Sequence, residues 1–210
     1  MRDRGGRLYR EGQVPWVPSW PGLQNLCRPI PGRPWVESTP IVPATTIRRE
    51  VESDAAAIES LVELAFRDAP HRDGTEQFVV NALRRAGALT LSLVAEDGKV
   101  LVGHVALSPV RISDGSQGWY GLGPVAVAPA CQRRGIGAQL IERALRELCA
   151  LGASGCVVLG DPAYYGRFGF RAHPSLVLPE VPPEYFQAVA FLETMPAGTV
   201  EYHAAFGATG

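Results

Sequence analysis

Lysine is almost missing from this chain of 210 residues: Lys99 is the only one, and the remaining positive charge is arginine. With 20 basic and 21 acidic side chains the formal net charge is −1. A near-neutral chain has no bulk attraction for nucleic acid or for an acidic membrane surface, so neither is an expected partner. No apolar run reaches the length of a membrane span, and the N-terminus lacks the apolar stretch of a secretory signal. That N-terminus is rich in arginine and poor in acid, the composition of a transit peptide. Its prolines oppose the amphipathic helix such a peptide needs, so the expected compartment is the cytoplasm. The four cysteines, Cys27, Cys131, Cys149 and Cys156, form no CxxC pair, which argues against a metal site and fits a reducing compartment. Neither Gly-Lys-Ser/Thr nor a GxGxxG after the first strand occurs, which excludes P-loop and Rossmann phosphate sites. Internal repeats are lacking too.

What is present falls into two parts. Residues 1–44 hold eight of the 18 prolines and three of the four tryptophans, without apolar periodicity. Runs such as Pro15-Trp16-Val17-Pro18-Ser19-Trp20-Pro21 cannot continue a helix, because proline lacks the N–H and fixes φ. An irregular extension is expected there, followed by one domain over residues 45–210. Its size suits a single hydrophobic core.

Periodicity sets the expected elements. Thr45 to Val51 reads as a strand. Ile58, Leu61, Val62 and Ala65 form the stripe of an amphipathic helix capped by Ser53 or Asp54. His71 to Gly74 reads as a loop and Thr75 to Arg85 as a second helix. Leu89 to Glu96, the turn at Asp97-Gly98-Lys99, and Val100 to Ile112 form a hairpin. Trp119 to Val127 is a strand, Ile136 to Leu148 a helix and Ser154 to Leu159 a buried strand. Pro162 to Phe168 is a short helix or turn, and Phe170 to Ala172 and Thr199 to His203 are short strands. The implied class is α/β: a mixed six- to seven-stranded sheet with helices on both faces.

One segment carries chemistry: Val125-Ala126-Val127-Ala128-Pro129-Ala130-Cys131-Gln132-Arg133-Arg134-Gly135-Ile136-Gly137. A strand ends, a short loop crosses, and a glycine-containing turn opens a long helix. The first turn of a helix leaves N–H groups unpaired along its axis, and with the dipole they attract an anion such as a diphosphate. Glycine at 135 and 137 lets a phosphate approach the backbone closely. Taken alone, the same residues also describe an ordinary helix start with small side chains for packing.

The spacing Gln132-Arg133-Arg134-Gly135-Ile136-Gly137 after Val127-Ala128-Pro129 resembles the acetyl-CoA-binding motif of the GNAT superfamily. Tyr165-Gly166-Arg167-Phe168-Gly169-Phe170 is similar to that family's Tyr-x-x-x-Gly-Phe signature. The string from Val157 to Tyr165 and the closing Val200-Glu201-Tyr202-His203 resemble its YhbS-like branch. The resemblance covers about residues 45–206. It implies the GNAT acyl-CoA N-acyltransferase fold and an acetyl-CoA-dependent N-acetyltransferase. The acceptor is the amine of a small molecule or a protein, attacked directly in a ternary complex, with no metal. It further implies a bulge around Pro124 to Val127 that splays the strand from its parallel neighbour. Val125, Ala126 and Val127 then line the pantetheine arm, and residues 132–138 (Gln132, Arg133, Arg134, Gly135, Ile136, Gly137, Ala138) hold the diphosphate.

By the same resemblance Tyr165 is the general acid that protonates the departing CoA thiolate. The alternatives are a ring packed beside Phe168 and Phe170, or Tyr164 in its place. No base stands out. His104 reads either as a satisfied core histidine or as a base, Glu63 lies on the first helix, and Asp68, His71, Arg72 and Asp73 belong to a loop that reads as an acceptor-site wall or a solvated turn. Cys131 has no His or Asp partner by sequence and is not expected to carry an acyl group. A non-catalytic acyl-CoA sensor on the same fold is the alternative function. A homodimer is compatible with the sequence and not specified by it.

Overall fold

The computed structural model describes residues 45–67 and 75–208. The extension expected over residues 1–44 and the loop at 68–74 lie outside the described residues. The first strand, β1 (Thr46–Arg49), leads through a 3-10 turn into α1 (Ala55–Phe66), and α2 (Glu76–Arg85) follows. Then come β2 (Leu91–Asp97), β3 (Val100–Pro109), β4 (Arg111–Ile112) and β5 (Trp119–Val127). The long helix α3 (Ile136–Ala150), β6 (Gly155–Leu159) and the single turn α4 (Pro162–Tyr165) complete the central motif. The chain closes with β7 (Leu176–Val177), β8 (Phe186–Ala190) and β9 (Gly198–Glu201).

Six strands form one mixed sheet in the order β1-β2-β3-β5-β6-β8, and β4-β9-β7 form a separate three-stranded sheet. The expected class and the helices on both faces are present. Three details differ from the expectation. The run Val100 to Ile112 is two strands: Val110 still donates to Trp119 O at 3.0 Å, and the chain then crosses as β4 into the small sheet. Residues around Arg171 make a single bridge to Ala188 instead of a strand. The sheet's last strand is β8, which periodicity did not mark.

Side-chain alternation divides the core. Leu93, Ala95, Val105, Leu107, Cys156 and Val158 face α3, where Ile136, Leu140, Ile141, Ala144 and Leu148 meet them. On the opposite face Val94 and Ala126 meet Ile58, Leu61 and Val62 of α1 and Val80 of α2. The small sheet covers the rest of that face through Trp119, Val157, Ala188 and Val200. Asp54 precedes α1 but does not cap it by side chain. Its carboxylate accepts instead from the Val51 N–H at 2.8 Å and from Arg48 Nη1 at 2.6 Å, which holds it below the usual carboxylate range.

Helix α3 lies very close to β3. A Cβ on Gly103 would stand 2.8 Å from Leu140 Cδ1 and 2.9 Å from Ile136 Cγ2. Both neighbours are buried, so neither has room to give. Gly103→Ala is therefore expected to destabilise the fold by about 1–3 kcal/mol in urea unfolding. An unchanged midpoint would show that α3 is not seated as tightly as described.

Candidate active site

Register places an irregularity at the centre of β5. Val105 pairs with Val125, but Leu107 pairs with Leu122, so two residues of β5, Gly123 and Pro124, oppose the single Ala106. That is a bulge, and it reverses which residues face α3: Tyr120 and Leu122 do so before it, Val125 and Val127 after it. On the other edge, β5 pairs in parallel with β6 only from Trp119↔Gly155 to Gly121↔Val157. Beyond Gly121 the pairing ceases.

The unpaired edge has a definite chemical content. The Ala128 N–H donates to Val102 O at 2.9 Å, so even-numbered positions in this stretch address β3. In an antiparallel pair the intervening residues then turn their main-chain groups away. Val125 and Val127 thus present theirs to the gap beside β6. One is already used, since Gln132 Nε2 donates to Val127 O at 3.1 Å. The N–H and C=O of Val125 and the N–H of Val127 remain.

After β5, a 3-10 turn at Pro129–Cys131 leads to the start of α3. Arg133 is left-handed at φ 61° and Gly135, the N-cap, at φ 82°. Such alternation curls successive N–H groups into a concave nest. The amides of Arg133, Arg134, Gly135, Ile136, Gly137 and Ala138 have no acceptor among the described residues; the first one used is Gln139 N–H to Gly135 O at 3.0 Å. Gly135 is needed for its φ. Gly137 is needed for space, because a Cβ there would stand 3.0 Å from Tyr164 Oη and 3.5 Å from Val127 Cγ2. Arg133 and Arg134 are exposed, the latter 3.9 Å from Asp97 Oδ2. Six inward N–H groups and a neighbouring strand edge fit a diphosphate with an extended polar tail.

Helix α4 crosses from the end of β6 to the first turn of α3. Asp161 opens it, accepting the Ala163 N–H at 2.8 Å. Tyr164 sits with its hydroxyl over Gly137 and Arg167 stacked 3.9 Å from its ring centroid. Tyr165 turns inward. Its ring lies edge-on to Tyr164 at 5.1 Å and to Phe170 at 6.0 Å, and fills the space a side chain at Gly160 would take. So the sequence's two readings of Tyr165 are partly reconciled: the ring is core, yet its hydroxyl has no hydrogen-bond partner among the described residues and is not sealed off. Burial, with Tyr164 nearby, pushes its pKa up to about 12.

The other sequence candidates are dispersed. Glu63 is exposed on α1. His71, Asp73, Asp68 and Arg72 lie outside the described residues. Cys131 has the Arg134 guanidinium at 3.8 Å and no base beside it. His104 is fully buried on the α1–α2 face opposite Ala126, with Nε2 2.8 Å from Ser92 Oγ. Sequence reading missed what stands behind it: Ser92 donates to Glu50, which Arg84 grips through two bonds of 3.0 Å each. The available signal was Ser92, a polar residue in the apolar run from Leu91 to Ala95.

Comparison with known proteins follows the same geometry. Residues 89–172 match the family model described as "Acetyltransferase (GNAT) domain". The chain is 38% identical over 133 residues to the uncharacterized N-acetyltransferase YhbS of Escherichia coli (strain K12), covering 62% of this chain and 77% of that protein. A GNAT family acetyltransferase from Brucella melitensis, solved in complex with acetyl-CoA, is 49% identical with a TM-score of 0.71, over 78% of this chain and 99% of that one. The structure of YhbS from Escherichia coli in complex with CoA is 34% identical with a TM-score of 0.74, over 82% and 97%.

The Tyr165 environment has a measurable consequence. A tyrosine whose folded pKa is raised contributes stability that is complete below the unfolded value of about 10 and is lost as pH rises through the folded value. In alkaline ultraviolet titration, the wild-type minus Tyr165→Phe difference is expected to show its phenolate near pH 12. Ionisation near pH 10 would contradict the burial described.

Proposed function

The chain belongs to the GNAT acetyltransferase family and is an N-acetyltransferase, and from that premise we infer that residues 132–138 and the open edge of β5 hold acetyl-CoA while Tyr165 serves its departing thiolate. The observation that carries this reading is the run of six acceptor-less amides beside a strand edge stripped of its partner. The catalytic unit in this reading is residues 45–210. The acceptor is an amine of a small molecule or of a protein. Cys131 and Cys156 carry no disulfide, which supports a reducing, cytoplasmic setting. Among the described residues no helix is long and apolar enough to cross a membrane, and no group of side chains is arranged to hold a metal ion.

Acetyl-CoA supplies an activated acyl group as its thioester. The chain supplies position and charge. The amides of residues 133–138 receive the diphosphate at the positive end of the α3 dipole, and Arg133 and Arg134 add charge from the rim. Val125 and Val127 hold the arm as an added strand would be held, which extends β5 across the gap where β6 departs. A Val125 N–H aimed at the carbonyl oxygen stabilises the negative charge that grows there as the amine attacks. One such donor is worth about 3–4 kcal/mol. Fixing thioester and amine together lowers the barrier further.

Tyr165 keeps its proton throughout the physiological range. A higher pKa makes it a weaker acid than a free phenol, but the same apolar surroundings raise a thiol as well. Burial pushes the Cys156 thiol up by the same cause a few residues away.

Two measurements test this. With a panel of amines, peptides and aminoacyl compounds, thiol release from acetyl-CoA is expected to depend on the amine, and Tyr165→Phe to lower kcat by about 10²-fold or more with the acetyl-CoA Kd changed less than about twofold. An unchanged kcat for every accepted amine would remove Tyr165 from the acid role. Gly137→Val is expected to raise the acetyl-CoA Kd by about tenfold or more, a loss of about 1.4 kcal/mol. Unchanged affinity would move the diphosphate elsewhere.

A further inference from the structure

The string behind His104 is ordered in a way that fixes its protons. Glu50 is ionised: burial alone would raise its pKa, but hydrogen bonds from Arg84 and Ser92 hold it below the usual range. An ionised carboxylate only accepts, so the single proton of Ser92 Oγ goes to Glu50. Ser92 Oγ can then only accept from His104, so Nε2 of the imidazole carries the hydrogen. The opposite nitrogen, Nδ1, is left with a lone pair. It is sealed from solvent and has no partner among the described residues. An unmet buried acceptor of this kind is costly, so a purely structural histidine has reason to satisfy it.

Its position gives that lone pair a use. His104 stands opposite Ala126, between the two valines whose main chain opens on the gap. Along the same face of β3 the next side chain is Ala106, which opposes the bulge, and the one after is Ser108, also fully buried with an unpartnered Oγ. Successive side chains on one face of a strand are about 7 Å apart, so Ala106 and the bulge it opposes are the next neighbours of His104 along this face. The groups that face the ring are Ser92 and Glu50 from the β1–β2 side and Arg84 from α2; α1 contributes the apolar Ile58, Leu61 and Val62.

We propose that His104, Ser92 and Glu50 form a buried proton relay that accepts, through water, the proton shed by the acceptor amine. The proposal rests on the acetyltransferase reading. As the amine nitrogen bonds to the acyl carbon, its proton passes through water to Nδ1. Nε2 gives its hydrogen to Ser92 Oγ and the Ser92 hydroxyl proton moves to Glu50; once the acetylated product has left, the three shifts run back and Nδ1 returns its proton to water, which restores the Nε2–H ring for the next turnover. The carbon–sulfur bond breaks with its electron pair on sulfur, and that thiolate takes its proton from Tyr165. Burial pushes the His104 pKa down to about 4, so the ring is empty and ready at neutral pH.

The test pairs activity with a readout independent of it. In wild-type protein at pH 7 the ¹⁵N signals of His104 are expected to report a neutral ring protonated on Nε2; protonation on Nδ1, or an imidazolium, overturns the relay. With an accepted amine, Ser92→Ala is expected to lower kcat by about 10²-fold and Ser92→Thr to retain most of it, with acetyl-CoA affinity near wild type in both. Loss in both variants alike, or in neither, overturns the relay, since a packing role is disturbed at least as much by the larger threonine. A wild-type enzyme that releases no thiol in response to any amine overturns the acetyltransferase reading and the relay with it. An active enzyme indifferent to Ser92→Ala overturns the relay alone.

Discussion

The extra residue in β5 is the constraint on which the site depends. Because Gly123 and Pro124 together oppose Ala106, the strand changes phase at its middle and can no longer follow β6. A sheet interior normally leaves no main-chain donor or acceptor free, and an unpaired group there is costly. Here the same defect exposes the Val125 and Val127 groups in a row, at the spacing of a strand.

The second half of the site follows from how that strand ends. A short turn reverses the chain, and two left-handed residues, Arg133 and Gly135, curl the backbone before α3 begins. Helix starts always leave amides over; this one leaves six in a row without an acceptor among the described residues. The close seat of α3 over Gly103 keeps the two halves in register with one another. Across the gap, α4 brings two tyrosines with different surroundings. Tyr164 rests on the first turn of α3, and Tyr165 is sunk among Phe170, Gly160 and the β6 wall.

Much of this was legible in the sequence because it is main-chain chemistry written in glycine and proline. Gly135, Gly137 and Pro124 announce a backbone requirement whatever surrounds them, and the apolar stripe from Ile136 to Leu148 gives the helix that follows. The hidden parts are those whose signal is tertiary. β8 reads as Phe186-Gln187-Ala188-Val189-Ala190, buried on both faces from Phe186 to Val189, so it has no polar alternation to betray it. β7 is two residues long and owes its existence to its neighbour. The switch of β4 into the small sheet sits inside what looks like one continuous strand. Glu50, Arg84, Ser92 and His104 are scattered over more than fifty positions, and only the pairing of β1, β2 and β3, with α2 beside them, gathers them. Even the bulge was expected from family resemblance, with Pro124 as its only local sign.

The most direct test of the account is to watch the main-chain amides themselves as CoA is added to ¹⁵N-labelled protein. The amides of Arg133 to Ala138, with those of Val125 and Val127, are expected to show the largest shifts and to gain protection from hydrogen exchange together. Saturable binding that leaves those amides unmoved, while others respond, would contradict it.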